Sequence, residues 1–343
     1  MTDPAAADDG RYLRFGLAVV LLAVAGLVLK AARPVLIPFI LAVFLSYIID
    51  PALTFLTGCR CPRPLAVIIV LGMMFVALYL LGVLVYSSGK AFVADLPKYQ
   101  ERLGDIGRFL EKGMGRFRID VPSALGSLDV DKIGGFVIKA IGPFFSVLGN
   151  LLLVFIFLAA IVAGRGRAEK KISRAIGDGQ AGRVRVVMDR INVEIRKYIV
   201  LKTLISLANG LEVWLVLTLF GVDFAALFGL LAFLLNFIPN IGSAVATILR
   251  VGFAFFQFGT FWTPFLVLVI TVGIDEILGT IVEPRVLGKG LDLSPLLVFF
   301  SLIFWGWLWG IPGMILSVPL TAVVKIGCQN IPALRPVAVL MGQ

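Results

Sequence analysis

The 343-residue sequence contains no histidine, and this absence limits its chemistry. A Ser-His-Asp triad, a histidine-ligated metal and a histidine proton relay all require that side chain. Any proton transfer must therefore use carboxyl groups. The three cysteines, Cys59, Cys61 and Cys328, match neither a zinc site nor a disulfide framework in their spacing. Because no Ser/Lys, paired-Asp or metal-ligand motif stands at a suggestive spacing, we expect no enzyme, no cofactor and no metal.

Charged residues are also scarce, at 15% of the chain, whereas hydrophobic residues make up 59% and the mean hydropathy is +1.01. A soluble domain of this length does not reach such values. The composition therefore indicates a membrane protein that crosses the bilayer several times. From the hydrophobic runs we predict an all-α membrane protein with about eight transmembrane helices, a re-entrant helical hairpin and an extramembrane helical segment.

The hydrophobic pattern divides the chain into five regions. They are N-terminal transmembrane helices over 1–86, an extracytoplasmic helical segment over 87–140, a transmembrane helix over 141–163, a basic cytoplasmic segment over 164–197 and a transmembrane core over 198–343. From Arg165 to Lys197, ten basic residues outnumber four acidic ones, and basic loops stay in the cytoplasm. Both termini are then predicted to be cytoplasmic. Topology and the lipid bilayer explain this basic cluster, so we expect no nucleic acid partner.

The extracytoplasmic segment carries an apolar seam. Its members are Phe92, Leu96, Tyr99, Leu103, Ile106, Leu110, Met114 and Phe117. Spacings of three and four residues trace one helical face. This face either packs on the membrane half of its own subunit or joins neighbouring subunits, and the sequence leaves both open. Together with the small residues Gly306 and Gly310, the seam predicts a homo-oligomer.

A short polar stretch, 239–243, interrupts the apolar run from Ala225 to Phe256. About fourteen apolar residues precede it and about thirteen follow it, whereas a membrane-spanning helix needs about twenty. We therefore predict a re-entrant hairpin over 225–256, with a kinked core helix as the alternative. The ends of two half-helices would form a small dipolar site at the break. The candidate site residues of this region are Asn236, Pro239, Asn240, Gly242 and Ser243.

The span before the hairpin contains a polar stripe, which consists of Lys202, Ser206, Asn209 and Glu212. At about 100° per residue, the four side chains fall within about 120° of one helix face. Polar side chains in a membrane span usually face the protein interior or a water-filled path. We expect Lys202 to reach the cytoplasmic interface, but Glu212 lies too deep to do so. Asn209 and Glu212 therefore join the candidate site.

The span from Phe261 to Ile281 carries two adjacent carboxyl groups, Asp275 and Glu276. Two bare charges would repel each other in a medium of low dielectric constant, so we expect at least one of them to be protonated or paired. Asp275 and Glu276 complete the candidate site.

Three motifs of the second half occur together. They are Pro239-Asn240-Ile241-Gly242, then Glu283-Pro284 with Gly288, and finally Gly310, Gly313 and Pro319-Leu320. In this combination the stretch from Tyr198 to Lys325 resembles the autoinducer-2 exporter family of bacterial and archaeal membrane proteins. The resemblance implies export of a small polar solute across the cell (inner) membrane and a ring-shaped oligomer such as a pentamer. Other family members are thought to exchange sodium or protons.

Three functions follow as hypotheses. The first is a gradient-driven transporter that exports a small polar solute, an autoinducer-2-like signal by the resemblance. No Gly-x-x-x-x-Gly-Lys-Ser/Thr motif for ATP occurs, hence the gradient. The second is an antiporter for sodium, protons or another cation, in which the carboxyl groups alternate between cation-bound and protonated states. The third is a membrane scaffold or interaction protein whose polar stripe serves only helix packing.

Overall fold

The structure, a computed structural model, describes residues 16–17, 20–21, 23–113, 151–164, 177–287 and 291–342. The helices are α1 (Arg33–Gly58), α2 (Arg63–Gly113), α3 (Leu151–Gly164), α4 (Gly177–Leu219), α5 (Ala225–Leu235), α6 (Ile241–Phe258), α7 (Trp262–Glu276), α8 (Glu283–Leu287), α9 (Pro295–Trp309), α10 (Ile311–Gln329) and α11 (Arg335–Leu340). A π-helical turn, Ile277–Val282, joins α7 to α8, and a 3-10 turn, Pro332–Leu334, precedes α11. The predicted all-α membrane fold is confirmed.

Within these residues, six stretches are long and apolar enough to cross a membrane. They are Arg33–Gly58, Arg63–Asp95, Val186–Leu219, Ile241–Phe258, Trp262–Val286 and Ile311–Gln329. The helices α3, α5 and α9 are apolar but shorter. Much of the first predicted span and the start of the fourth, 141–150, lie outside the described residues. The total of eight spans therefore stays a prediction.

Helix α2 joins a membrane span to the start of the extracytoplasmic segment without a break in the helix. The ring of Phe92, the first residue of the seam, lies 5.9 Å from the ring of Phe224 and 6.1 Å from that of Phe253, centroid to centroid. At this position the seam packs on its own subunit. The seam side chains from Leu96 onward lie outside the residues that the structure describes, so their role stays a prediction.

Helices α4 and α5 cross at two glycines. A Cβ atom on Gly210 would lie 2.7 Å from the carbonyl oxygen of Gly229, and a Cβ on Gly229 would lie 2.7 Å from that of Gly210. Only glycine allows two backbones to approach this closely. The crossing sets α5 directly against the α4 face that carries the polar stripe.

Helices α5 and α6 form a hairpin whose open end is fastened by Gln257. This buried side chain accepts a hydrogen bond from the backbone N–H of Asp223 at 2.7 Å and donates one to the carbonyl oxygen of Gly221 at 2.9 Å. The end of α6 therefore lies level with the start of α5. The hairpin enters beside the end of α4 and returns to it.

The tip of the hairpin is the non-helical segment 236–240. The predicted break lay at 239–243, so Gly242 and Ser243 belong instead to the first turn of α6. Helix α5 has 11 residues, about 17 Å at 1.5 Å per residue, too short for a 30 Å hydrocarbon core. Helix α6 has 18. The prediction that neither half can span is thus right for α5 and wrong, by length and composition, for α6.

Two turns meet at one end of the molecule. The indole N–H of Trp309 donates to the carbonyl oxygen of Leu29 at 3.2 Å, and the Lys30 ammonium lies 5.1 Å above the ring of Trp307. The predicted topology places both turns outside the cytoplasm, and this contact agrees with it. The orientation itself stays a prediction.

Gly306 makes its close contact inside the chain. A Cβ atom there would lie 2.9 Å from the Met314 side chain of α10. Gly310 has a φ of +70° and begins α10. Both glycines therefore serve the α9–α10 hairpin, and the predicted homo-oligomer loses the support that we took from them.

Candidate functional site

The polar stripe of α4 is the line along which the candidate site is assembled. Lys202, Ser206 and Asn209 are buried, with 5%, 0% and 7% of their surface exposed. Each takes a polar partner from another part of the chain: Lys202 from Glu283, Ser206 from Asn236, and Asn209 from Asp275. Three segments that follow α4 thus meet it at three successive levels.

Lys202 forms a buried ion pair with Glu283, in which its Nζ lies 2.7 Å and 2.9 Å from the two carboxylate oxygens. The expectation that Lys202 extends to the cytoplasmic interface is wrong, because its side chain is enclosed by protein. The sequence analysis assigned Glu283 to a polar connector. The two residues are 81 positions apart, and only the return of α7 along α4 brings them together.

Asp275 is held from two sides. The Asn209 amide donates to its Oδ1, and the Arg250 guanidinium donates to its Oδ2. This confirms that at least one of the two adjacent carboxyl groups is paired. Glu276 points along its own helix, where it accepts a hydrogen bond from the Thr280 hydroxyl at 2.9 Å.

Arg250 is the functional candidate that the sequence analysis missed. Its side chain, 1% exposed, also donates to the Thr247 hydroxyl at 2.9 Å, while its Nε has no hydrogen-bond partner. It was counted within the apolar run of α6. A single arginine in an otherwise apolar span was the available signal, since such a charge requires a partner within the membrane.

The hairpin tip brings its own polar groups to the stripe. The Asn236 amide donates to the Ser206 hydroxyl at 2.9 Å, and the Ser243 hydroxyl donates to the carbonyl oxygen of Asn240 at 3.1 Å. Asn240 has a φ of +57°, a conformation that asparagine tolerates better than most residues. Gly242 is buried, and a Cβ atom there would overlap the carbonyl oxygen of Leu235.

A cavity of about 370 Å³ lies between the tip and the π-helical turn. Seven of the nine candidate residues line it: Asn209, Asn236, Pro239, Asn240, Ser243, Asp275 and Glu276. Tyr198, Lys202, Thr280 and Glu283 line it too, although they were not candidates. The structure thus gathers most of the predicted residues around one space.

Glu212 and Gly242 are absent from the lining. Both carboxylate oxygens of Glu212 are buried and lack a hydrogen-bond partner within the described part of the chain. Glu212 nevertheless lies within electrostatic range of Asp275 and Arg250. Across the ranges that the structure describes, no three acidic or cysteine side chains are grouped as a metal site.

Comparison with known proteins gives a consistent result over nearly the whole chain. The family model described as "AI-2E family transporter" matches residues 17–333. The "AI-2 transport protein TqsA" of Escherichia coli (strain K12) is 35% identical over 323 residues, which is 91% of each chain. Two relatives carry the name "Putative transport protein". The one from Haemophilus influenzae is 31% identical over 333 residues, 95% of each chain. The other, YhhT of E. coli K12, is 31% identical over 355 residues, 100% of this chain and 97% of that one.

Proposed function

Because the chain belongs to the AI-2E family of membrane transporters, we propose that it exports a small polar solute, driven by an ion gradient, through the cavity at the hairpin tip. The relative TqsA is named as a transporter of AI-2, so AI-2 is the first solute to test. As a multi-pass protein, it is proposed to lie in a bacterial or archaeal inner membrane with both termini in the cytoplasm.

The cavity is the observation that carries this proposal. Its lining combines amides and a hydroxyl, from Asn209, Asn236, Asn240 and Ser243, with the charged groups of Lys202, Asp275, Glu276 and Glu283. A packing interface between helices does not need a space of this size lined with polar groups. Groups of both kinds suit the hydroxyl and carbonyl groups of a small polar solute.

The direct test is flux through the purified protein in liposomes. Sodium and proton gradients are imposed in turn, with AI-2 and other small polar solutes. Flux that requires protein and gradient supports the proposal, and no flux of any solute with either gradient overturns it.

A matched pair of variants locates the path. Ser243→Phe places a ring in the cavity, whereas Val245→Phe places the same ring on an exposed part of α6 that does not line it. We expect the first to lower flux at least about tenfold and the second to leave it within about twofold, since only the first blocks the cavity. Equal flux in both would place the path elsewhere.

A second candidate function, cation antiport, is supported by Glu212. A buried carboxylate without a hydrogen-bond partner is unfavourable, so binding a cation or a proton stabilises it. Asp275 and Arg250 lie within electrostatic range, which would couple such binding to the ion pair at the cavity.

Glu212→Gln tests the antiport hypothesis, because the amide keeps the size of the side chain but removes the ionisable group. For antiport we expect sodium- or proton-driven flux to fall about tenfold or more, with normal membrane insertion and melting temperature. Unchanged flux with both gradients would contradict it. The homo-oligomer, a ring such as a pentamer, is proposed from the family resemblance, and native mass spectrometry in mild detergent tests it.

A further inference from the structure

The chain from α7 to α8 is attached to α4 at two points, through Asp275–Asn209 and Glu283–Lys202. The two partners on α4 are seven residues apart, whereas the two acids are eight residues apart. In an α-helix, seven residues return to within about 20° of the same direction, but eight residues end about 80° away from it. A regular α-helix therefore cannot present both acids to α4.

The π-helical turn Ile277–Val282 resolves this mismatch. The backbone N–H of Glu283 donates to the carbonyl oxygen of Leu278, five residues earlier. A turn closed by such a bond takes in one residue more than an α turn. With that residue absorbed, Glu283 returns to the same face as Asp275. The position of Glu283 opposite Lys202 thus depends on the π turn.

The same turn forms one wall of the cavity, through Leu278, Gly279 and Thr280. Lys202 and Glu283 lie at the end of the cavity nearer to the basic segment of α4, which the topology predicts to be cytoplasmic. Asn209 and Asp275 lie further along α4. The Lys202–Glu283 pair therefore stands between the cavity and that end of the membrane.

We propose that the Lys202–Glu283 ion pair is a gate at the predicted cytoplasmic end of the cavity, and that the π turn of α7 operates it. Return of the turn to α-helix rotates Glu283 by about 80° and removes it from Lys202. This inference rests on the proposed transport function. None of the side chains of the π turn is buried, and Gly279 has open space around it, so the rearrangement meets little packing resistance.

Opening has an electrostatic requirement as well. Lys202 is 5% exposed, and a buried charge that loses its partner is strongly unfavourable. The open gate must therefore admit water to Lys202. A space that admits water there also admits a hydrated polar solute from the cytoplasmic side.

Thiol labelling tests the gate without any knowledge of the solute. Ile205 is buried and lines the cavity, so Ile205→Cys reports access in a protein whose three native cysteines are replaced. A membrane-impermeant maleimide is applied to inside-out vesicles. We expect Lys202→Glu or Glu283→Lys to speed labelling at least about tenfold, because each leaves a buried charge without its partner.

The charge-swapped double variant, Lys202→Glu with Glu283→Lys, should return labelling to the parent rate. Reversal of the exposed pair Arg190–Glu194 on the same helix, 2.9 Å apart, is the matched control and should change nothing. Labelling that is equally slow in the parent and in both single variants would overturn the gate. So would a double variant that labels as fast as the single ones.

Deletion of Gly279 tests the π turn. The shortened helix holds both acids on one face as a plain α-helix, so the gate can no longer open by this change. We expect labelling no faster than in the parent and flux at least about tenfold lower, whereas Gly279→Ala, which keeps the residue count, stays within about twofold. Parent-level flux in the deletion variant would overturn the role of the π turn.

The two experiments fail separately from the proposed function. If the parent carries no solute at all, transport is refuted, and the labelling series still decides whether the pair closes the cavity. If the deletion variant does not fold, the charge-swap series decides the gate alone.

Discussion

Two bundles in this molecule are packed in different ways. Helices α1, α2 and α3 meet through aliphatic side chains alone in their buried cluster, such as Ala42, Val70 and Leu158. Helices α4, α6 and α7 also share an apolar cluster, but they bury Lys202, Asn209 and Arg250 beside it. In lipid, apolar burial provides little drive for association, and intramembrane charges are costly and usually functional. The comparison indicates that the first bundle supports and the second transports.

Gly242→Val should produce the largest effect. The added carbons would overlap the carbonyl oxygen of Leu235, so the hairpin tip must move, and we expect flux to be abolished. Gly252→Val on the same helix is the control, because a Cβ atom at Gly252 meets nothing within 4 Å. Liposome flux and a melting curve measure both variants. Normal flux in folded Gly242→Val would remove the tip from the transporting bundle.

Arg250→Met should come next. It leaves Asp275 without its charge partner, and loss of one member of a buried pair typically costs about 3–5 kcal/mol. Adding Asp275→Asn should recover most of the melting temperature but not the flux, since the pair would be gone in both cases. If the double variant transports normally, the buried charges serve packing and the contrast between the bundles fails.

Gln257→Leu should have an intermediate effect. It removes the two hydrogen bonds that fasten the hairpin to Gly221 and Asp223, and unsatisfied buried groups cost about 1–3 kcal/mol. We expect a lower melting temperature and a partial loss of flux, because the tip stays in place while its base loosens. Gln257→Glu, which keeps an acceptor for the Asp223 N–H, should lose less stability. A variant with unchanged melting would show that the clamp is dispensable.

Leu158→Ala should have the smallest effect on flux. Leu158 is fully buried between α3 and its neighbours. In lipid the transfer part of the usual cost disappears and the cavity part remains, about 1–2 kcal/mol. We expect a lower melting temperature with flux within about twofold of the parent. A large loss of flux at normal stability would mean that the supporting bundle also takes part in transport.

The sequence was sufficient for the features that lie within one helix. The polar stripe of α4 follows from the angular spacing of Lys202, Ser206 and Asn209, and the break near Pro239 follows from polar residues in an apolar run. The exact break shifted by three residues at its start, because the backbone turns at Asn236 and Asn240 while Gly242 is used for close packing.

The pairings between helices could not be read in the same way. Arg250 reaches Asp275 across 25 residues and Lys202 reaches Glu283 across 81. Whether such charges meet depends on how α6 and α7 pack on α4, which local periodicity does not encode. The π turn was missed for a related reason: only the distance between two contacts on a neighbouring helix requires the additional residue.

The crossing of α4 and α5 has a consequence for how the sequence can change over generations. Gly210 and Gly229 each exclude a Cβ atom on the other side, and both already have the smallest side chain that exists. A larger residue at one position therefore cannot be compensated by a smaller residue at the other. Both positions should resist substitution together, whatever solute a descendant of this chain carries, while the cavity wall is free to diverge.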